Sequence, residues 1–292
     1  MEIAFHLVRA MRLRQWTKNI FVFVALIFAR RVQDTDAVMA AVTTFLAFCL
    51  ASSAAYLLND IFDRERDRQH PEKAKRPIAA GQLGVVPAAV SATVLWMGAM
   101  VMAFFVNLHV LWIVGGYLVL QLLYSFLLKH IVILDLFVIA AGFVLRVAAG
   151  AEAIPVPISS WLFVCTVLIS LFLGTAKRRH ELCSLEKAED HRATLGKYSP
   201  YLLDQMIAIT AAATVVSYSL YTLSEDTIRK FGTDKLKWTI PFVLFGLFRY
   251  LYLVHVRKKG DQPEKVLLTD VPLLLNVLLY GAVVVMVLYV DI

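Results

Sequence analysis

Long apolar runs alternate with short polar or charged segments along the whole chain. About 20 consecutive apolar residues are enough to cross the hydrocarbon core of a bilayer as an α-helix. The pattern therefore predicts an all-α protein, a polytopic membrane bundle of about nine transmembrane helices. The predicted spans are residues 11–29, 37–58, 86–106, 110–128, 132–151, 160–175, 202–223, 240–256 and 271–290.

The composition supports a membrane protein. Hydrophobic residues make up 60% of the 292 residues and charged residues only 17%, whereas a soluble domain carries roughly 25% charged residues. The mean hydropathy is +0.70. Cys49, Cys165 and Cys183 show no paired spacing, so neither a disulfide framework nor a thiolate metal site is indicated.

The distribution of Lys and Arg predicts how the protein lies in the membrane. With a cytoplasmic amino terminus, 21 of the 29 Lys and Arg residues fall on the cytoplasmic side, as the positive-inside rule requires. They lie in residues 9–18, 60–83, 129–130, 177–200 and 257–270. The net charge of +7 then reports basic loops, and no nucleic-acid partner is predicted. We expect an inner (plasma) membrane protein whose chemistry faces the cytoplasm.

Oxygen-bearing side chains gather where the second apolar run ends, at Asn59, Asp60, Asp63 and Asp67. If the helix continues, the three carboxylates share one face, because they are three and four residues apart. An oxygen-only donor set favours Mg²⁺, which at protein sites usually also bridges substrate phosphates. The alternative is a solvated charge run that stops the helix, but a stop needs Lys and Arg rather than evenly spaced Asp.

Two basic segments are candidates for binding phosphate oxygens. The first follows the Asp cluster and contains Lys73 and Arg76. The second follows the sixth span and reads Lys177-Arg178-Arg179-His180-Glu181, with Lys197-Tyr198 later in the same loop. It begins on a continuing helix, so Lys177 and Glu181 lie one turn apart and are expected to pair. Such cations can clamp a diphosphate or a sugar phosphate. For the second segment, ordinary positive-inside charge is an alternative that stays open.

Arg146 lies inside the fifth predicted span, far from either end. A guanidinium within a membrane costs at least a few kcal/mol and usually marks a pathway or a site. Asp135 is eleven residues earlier, so both side chains face the same way but lie too far apart along the helix axis to touch. A structural Arg, neutralised by a partner on another helix, is the alternative.

The spacing Asn59-Asp60-x-x-Asp63-x-x-x-Asp67, then His70-Pro71-x-Lys73-x-x-Arg76-Pro77-Ile78 and Gly81, resembles the first signature of the UbiA-type intramembrane prenyltransferases. The number of spans and the spacing of the charged loops agree with that family along nearly the whole chain. The resemblance implies one integral-membrane domain over residues 1–292. Its helices are expected to surround a central polar cavity that opens to the cytoplasmic side.

The second signature departs from the usual family pattern. Most members carry another Asp-rich cluster after the sixth span, whereas this chain reads Gly174-Thr175-Ala176-Lys177-Arg178-Arg179-His180-Glu181. Together with Arg14-Gln15-Trp16-x-Lys18-Asn19, Gly142-Phe143-x-Leu145-Arg146 and Tyr198-Ser199-Pro200, it is similar to the decaprenyl-phosphate phosphoribosyltransferase branch. There the donor is phosphoribosyl pyrophosphate, the acceptor is a polyprenyl phosphate, and the product feeds arabinan cell-wall sugars.

This resemblance implies an enzyme that uses Mg²⁺ to transfer a 5-phosphoribosyl group to a polyprenyl (decaprenyl) phosphate and releases pyrophosphate. The expected metal ligands are Asn59, Asp60, Asp63 and Asp67. The expected catalytic residues are Asp63, Asp67 and Lys177. The expected substrate-binding residues are Gln15, Lys18, Lys73, Arg76, Arg146, Arg178, Glu181 and Tyr198.

Two other functions stay open. An aromatic prenyltransferase with an unusual second signature would use a prenyl diphosphate and a ring acceptor. A polyprenyl-phosphate carrier or flippase would bind Mg²⁺ and lipid phosphate without chemistry. Transporters tend to show repeats and half-helices near mid-membrane, whereas most of the charge in this chain lies at one face. The sequence leaves open the polyprenyl chain length and whether the protein is a homo-oligomer.

Overall fold

The structure is a computed structural model that describes residues 2–69, 73–184, 194–257 and 263–290. Within these ranges it is helical and contains no β-strand, which confirms the all-α prediction. The α-helices are α1 (Glu2–Ala10), α2 (Val24–Phe28), α3 (Thr35–Phe62), α4 (Arg64–Arg68), α5 (Val85–Val106), α6 (Leu108–Phe126), α7 (Leu134–Ala153), α8 (Ser160–Ser184), α9 (Pro200–Leu223), α10 (Glu225–Phe231), α11 (Ile240–His255), α12 (Pro263–Thr269) and α13 (Val271–Tyr289). Short 3₁₀ segments lie at Leu13–Phe23, Lys73–Lys75, Leu128–His130, Leu195–Lys197 and Lys235–Thr239.

Within the described ranges, eight helices are long and apolar enough to cross a membrane, and the protein is a multi-pass integral membrane protein. Seven of them begin and end within a few residues of the predicted spans. Helix α8 instead runs on from the predicted end at 175 to Ser184, because Gly174-Thr175-Ala176 contains no residue that stops a helix. The second basic segment is therefore helical.

The predicted first span, residues 11–29, is not one α-helix, so the count of about nine spans is not confirmed. Helix α1 ends at Ala10, and Arg12 has a left-handed backbone with φ 54° and ψ 53°. A 3₁₀ segment, Leu13–Phe23, and the short helix α2 then follow. The polar side chains of Arg12, Arg14, Gln15 and Lys18 crowd the start of this run, where apolar periodicity is weakest.

The chain divides into two compact units, and the prediction of a single domain stays a prediction. The first unit comprises Met1–Lys129 and Leu145–Pro157. Its largest helix pair is α3 against α5, where small side chains allow the backbones to approach closely. The buried small residues are Ala37, Ala41, Ala47, Ala51 and Ala54 on α3, and Ala88, Ala92, Ala99 and Ala103 on α5.

The last part of α7 packs against the 3₁₀ segment Leu13–Phe23 in the first unit. An ideal Cβ built on Gly150 would lie 2.8 Å from the carbonyl carbon of Val22. Real side chains do not tolerate such a distance, so only glycine allows this approach. One helical turn earlier on α7, Arg146 reaches the same segment.

The second unit comprises His130–Val144 and Ile158–Ile292. Helix α8 packs along α9, and α11 packs against α13. Its main core contains Phe172, Ile207, Leu247, Tyr250 and Leu253, all at most 5% exposed. A smaller core of Leu136, Leu171 and Leu203 lies beside Tyr198. The cavity predicted for the whole bundle stays a prediction.

Candidate active site

The helix that carries the Asp cluster ends within it. Helix α3 stops at Phe62, and Asp63 links it to the short helix α4 with φ −87° and ψ 4°. Backbone hydrogen bonds still run from the N–H of Asp63 to the carbonyl of Asn59 and from the N–H of Asp67 to the carbonyl of Asp63. The turn is thus kept, but the single uninterrupted helix expected from the spacing is not observed.

Asp60 and Asp67 converge on one guanidinium. Nη1 of Arg76 donates to Oδ1 of Asp60 at 3.0 Å and to Oδ2 of Asp67 at 2.6 Å. Arg12 donates to the same Asp60 oxygen at 2.5 Å, and its guanidinium lies over the ring of Tyr56. Both Asp side chains are at most 3% exposed, whereas both Arg side chains are about a quarter exposed. The buried carboxylates are therefore matched by partly accessible cations.

Asp63 has a different cationic partner. Nζ of Lys129 lies 2.8 Å from Oδ1 and 3.0 Å from Oδ2 of Asp63. Nearby in sequence, Oδ1 of Asn59 accepts a hydrogen bond from the hydroxyl of Ser125 at 3.2 Å. The end of α6 and the segment after it thus hold two of the four predicted metal ligands.

The chemistry of Asp60 and Asp67 fits a hard divalent cation. Within the described part of the chain, no set of three or more His, Cys, Asp or Glu side chains is placed to hold a metal ion. Mg²⁺, however, is usually held by one or two carboxylates together with substrate phosphates and water. Burial raises the pKa of Asp67, an effect that Arg76 and Lys73 oppose. A desolvated carboxylate of this kind gains most from a cation.

The other predicted residues of the first unit lie in two places. Lys73 begins a 3₁₀ turn and acts electrostatically on Asp67, whereas Gln15 and Lys18 are half-buried in the segment Leu13–Phe23. The predicted loop residues His70 and Pro71 lie outside the described residues.

Arg146 is held in the core of the first unit by neutral groups. Its Nε donates to Oδ1 of Asn19 at 2.7 Å, and its Nη2 donates to the hydroxyl of Tyr117 at 2.9 Å. The guanidinium also lies over the rings of Tyr117 and Phe48, at 4.7 Å and 5.6 Å from their centroids. This geometry favours the structural alternative for Arg146, with polar and aromatic partners on three elements.

In the second unit, Arg178 joins two carboxylates. Its Nε lies 3.2 Å from Oδ2 of Asp135 and its Nη1 lies 2.6 Å from Oε2 of Glu181. The Arg178 side chain is 4% exposed and that of Asp135 is fully buried, whereas that of Glu181 is 20% exposed. Arg178 is therefore buried between two carboxylates, of which Glu181 is the more exposed.

Tyr198 completes this arrangement. Its hydroxyl donates to Oδ1 of Asp135 at 3.0 Å and accepts from the backbone N–H of Ile133 at 2.6 Å. Burial, with a contribution from Asp135, raises the pKa of Tyr198 to about 12, so the phenol stays protonated at neutral pH. Tyr198 ties its loop to the start of α7.

The remaining cations of the second basic segment have separate partners. Lys177 lies 3.9 Å from Glu181, as the predicted pairing one turn apart required. Arg179 instead reaches Asp204 on α9, and His255 on α11 approaches the same carboxylate at 3.1 Å. The Asp204 carboxylate thus connects three helices of the second unit, α8, α9 and α11.

The sequence profile of the UbiA prenyltransferase family matches residues 19–276, nearly the whole of this arrangement. The chain belongs to that family. The decaprenyl-phosphate phosphoribosyltransferase of Mycolicibacterium smegmatis is 33% identical over 90% of this chain and 86% of its own length. The protein of the same name from Corynebacterium glutamicum is 31% identical over 99% of this chain and 88% of its own length.

The fold of this UbiA family member is also that of solved structures. A UbiA homolog from Archaeoglobus fulgidus bound to GPP and Mg²⁺ has a TM-score of 0.74 and 17% sequence identity, and the match covers 98% of this chain and 100% of that chain. At this identity the likeness shows the fold alone. The archaeal structure itself contains bound Mg²⁺.

Two residues of the candidate site in this UbiA family member, Arg12 and Lys129, were not predicted; they pair with Asp60 and Asp63. Both lie in segments that the positive-inside rule already explained, so their charge carried no separate signal. The contacts of Asp135 were also not predicted, because its partners Arg178 and Tyr198 are 43 and 63 residues away in the sequence.

Proposed function

We propose that this UbiA family member transfers the 5-phosphoribosyl group of phosphoribosyl pyrophosphate to decaprenyl phosphate or a similar polyprenyl phosphate, with Mg²⁺ as cofactor. The observation that carries the proposal is the identity of at least 31% over at least 90% of the chain to two decaprenyl-phosphate phosphoribosyltransferases. Lys177 of the second basic segment supports it, because its side chain is 37% exposed and a 5-phosphate and an acceptor phosphate bring more negative charge than a prenyl diphosphate does.

The reaction is an in-line displacement. An oxygen of the polyprenyl phosphate attacks the anomeric carbon of the ribose, and the bond from that carbon to pyrophosphate breaks as the new bond forms. The electron pair leaves with pyrophosphate. The acceptor phosphate is already ionised at neutral pH, so no side chain has to remove a proton.

In the first unit, the residues around Asp60 and Asp67 serve the leaving pyrophosphate. These two carboxylates, with Asn59 and Asp63 beside them in the chain, would hold Mg²⁺. Bound there, Mg²⁺ supplies positive charge to the leaving group. Arg76 and Lys73 stabilise the same developing charge from the protein side, because their partly exposed cations lie next to the buried carboxylates.

Lys129 orients the carboxylate of Asp63. It holds the carboxylate in one orientation through two hydrogen bonds, at 2.8 Å and 3.0 Å. Gln15 and Lys18 are assigned to the acceptor phosphate. The isoprenoid tail lies between spans and is open to lipid.

In the second unit, the structure leads us to assign different roles to Arg178 and Glu181, both of which the sequence assigned to substrate binding. Arg178 is enclosed by Asp135 and Glu181, so it orients the Glu181 carboxylate rather than a phosphate. We assign Glu181 to the ribose hydroxyls, which donate hydrogen bonds to a fixed carboxylate. Lys177, at 37% exposure, serves a phosphate oxygen.

We also propose that both clusters face the cytoplasm, with a cytoplasmic amino terminus and an inner (plasma) membrane location. The support is the Lys and Arg bias, since the segments that carry these residues hold most of the positive charge.

The decisive experiment measures pyrophosphate release by the purified protein in lipid nanodiscs. Mg²⁺, phosphoribosyl pyrophosphate and decaprenyl phosphate are supplied together and then omitted one at a time, and the lipid product is identified by mass spectrometry. We expect release only when all three are present, with one phosphoribosyl lipid formed per pyrophosphate. Turnover of a prenyl diphosphate with an aromatic acid, and none with the three substrates, would replace the proposal with an aromatic prenyltransferase.

A further inference from the structure

The backbone breaks at Arg12 in a conformation that needs external support. Arg12 has φ 54° and ψ 53°, in the left-handed region. A residue with a Cβ avoids that region, because the Cβ comes too close to the neighbouring carbonyl oxygen. Such a residue keeps this conformation only where the surrounding structure holds it.

One buried hydroxyl holds both sides of the break. Ser53 of α3, which is fully buried, donates from Oγ to the carbonyl of Met11 at 3.2 Å. The same oxygen accepts a hydrogen bond from Nε1 of Trp16 at 3.0 Å. Met11 precedes Arg12 and Trp16 follows it, so the Ser53 hydroxyl fixes the turn from its two ends.

The turn directs the Arg12 side chain back to the same face of α3. Ser53, Tyr56 and Asp60 are three and four residues apart, and residues so spaced lie above one another on a helix. The guanidinium of Arg12 lies 4.8 Å from the Tyr56 ring centroid and donates to Asp60. One face of α3 therefore holds the turn through Ser53, contacts the Arg12 guanidinium through the Tyr56 ring and accepts its hydrogen bond through Asp60.

We infer that Ser53 and Trp16 are positioning residues for the reaction, and that they act through Arg12 by fixing its guanidinium at Asp60. The inference rests on the proposed function, because it assumes that the cluster around Asp60 serves the leaving pyrophosphate. Loss of either hydrogen bond releases the turn, and Arg12 then spends less time at Asp60.

The test is a double-mutant cycle on kcat/KM for phosphoribosyl pyrophosphate, with Ser53→Ala, Arg12→Ala and the double variant. We expect Ser53→Ala alone to lower kcat/KM about tenfold and Arg12→Ala to lower it more, on the order of 100-fold. In the Arg12→Ala background, Ser53→Ala should change kcat/KM less than about twofold, because the residue through which it acts is gone. Trp16→Phe, which keeps an aromatic ring and loses the N–H, should behave like Ser53→Ala.

Thr44→Ala is the matched control. Thr44 is also a fully buried hydroxyl on α3, but it bonds to the carbonyl of Ala40 on its own helix. Its effect on kcat/KM should be the same with and without Arg12. If Arg12→Ala is too slow to assay, the same double-mutant cycle can be measured on pyrophosphate affinity in the presence of Mg²⁺ by calorimetry, which requires no turnover.

Three outcomes distinguish the positioning role of Ser53 and Trp16 from the proposed function. Effects of Ser53→Ala and Arg12→Ala that multiply, as those of Thr44→Ala do, would overturn the positioning role. A wild-type protein that neither turns over phosphoribosyl pyrophosphate nor binds pyrophosphate would instead remove the proposed function. Coupling of Ser53 and Trp16 to Arg12, with none for Thr44, would establish the inference.

Discussion

Replacing Gly150 by Ala should push α7 away from the amino-terminal 3₁₀ segment. The new Cβ would lie 2.8 Å from the carbonyl carbon of Val22, whereas ordinary contact begins at 3.4 Å. The two backbones would have to part by at least 0.6 Å, and the overlap with the Val22 oxygen raises this to on the order of 1 Å. Neither partner is a flexible side chain, so a change of rotamer cannot relieve the clash.

The same displacement should break the contact of Arg146. Arg146 lies one turn before Gly150 on α7, and Asn19 lies one 3₁₀ turn before Val22, so both pairs bridge the same interface. The bond from Nε of Arg146 to Oδ1 of Asn19 is 2.7 Å long, and an increase of about 1 Å takes it beyond hydrogen-bonding range. Overpacking costs about 1–3 kcal/mol, and a lost hydrogen bond to a charged group adds about 1.5–3 kcal/mol.

Thermal unfolding in detergent, followed by size-exclusion chromatography of the surviving fraction, measures this loss. A destabilisation of about 3 kcal/mol or more corresponds to a fall in Tm on the order of 6–12 °C. Gly116→Ala is the control, because an added Cβ there meets no atom within 4 Å and alanine favours a helix. Equal Tm values for the wild type and both variants would refute the close-approach argument.

Four further substitutions test the site. Asp63→Asn should lower turnover at least about 100-fold while the chromatographic profile stays unchanged, and retained full activity would remove the metal role of this carboxylate. Arg178→Leu removes an ion-pair partner of the buried Asp135 carboxylate, which keeps its hydrogen bond from Tyr198, and should destabilise the protein by about 3–5 kcal/mol. Glu181→Gln should keep Tm and raise KM for phosphoribosyl pyrophosphate, and the opposite pattern would contradict the roles we assign. Because the Tyr198 pKa is raised to about 12, the phenol should stay protonated between about pH 6 and 9. The pH–rate profiles of the wild type and Tyr198→Phe should therefore have the same shape in that range. An inflection lost in the variant would show that the phenol titrates.

Much of the fold was predictable, because membrane spans follow from local apolar runs. Seven of the eight long helices match predicted spans, and the all-α class and family membership are confirmed. The break at Arg12 was not predictable, because it depends on a hydroxyl at Ser53, 42 residues beyond the carbonyl that it binds. The residues around Arg12 in the sequence do not indicate such a distant hydrogen-bond partner.

In the candidate site, too, contacts within one helix were predictable, whereas contacts between distant segments were not. Spacing correctly predicted the pairing of Lys177 with Glu181, whereas the metal role of the carboxylates stays a prediction. It could not show that Asp63 pairs with Lys129, or that Arg178 is enclosed by Asp135. Ion pairs between distant segments are set by helix packing, and a basic residue in a cytoplasmic loop has the same sequence signature with or without such a partner.

The close pairing of α3 with α5 has a consequence for how the protein is made. These helices are neighbours in the chain; Asp60 lies near the end of α3, and the segment between the two helices carries Asp67 and Arg76. Chains emerge from the ribosome amino terminus first, and contacts between nearby segments form fastest. The cluster of Asp60, Asp67 and Arg76 can therefore close as a hairpin during insertion, before the helices of the second unit have been synthesised.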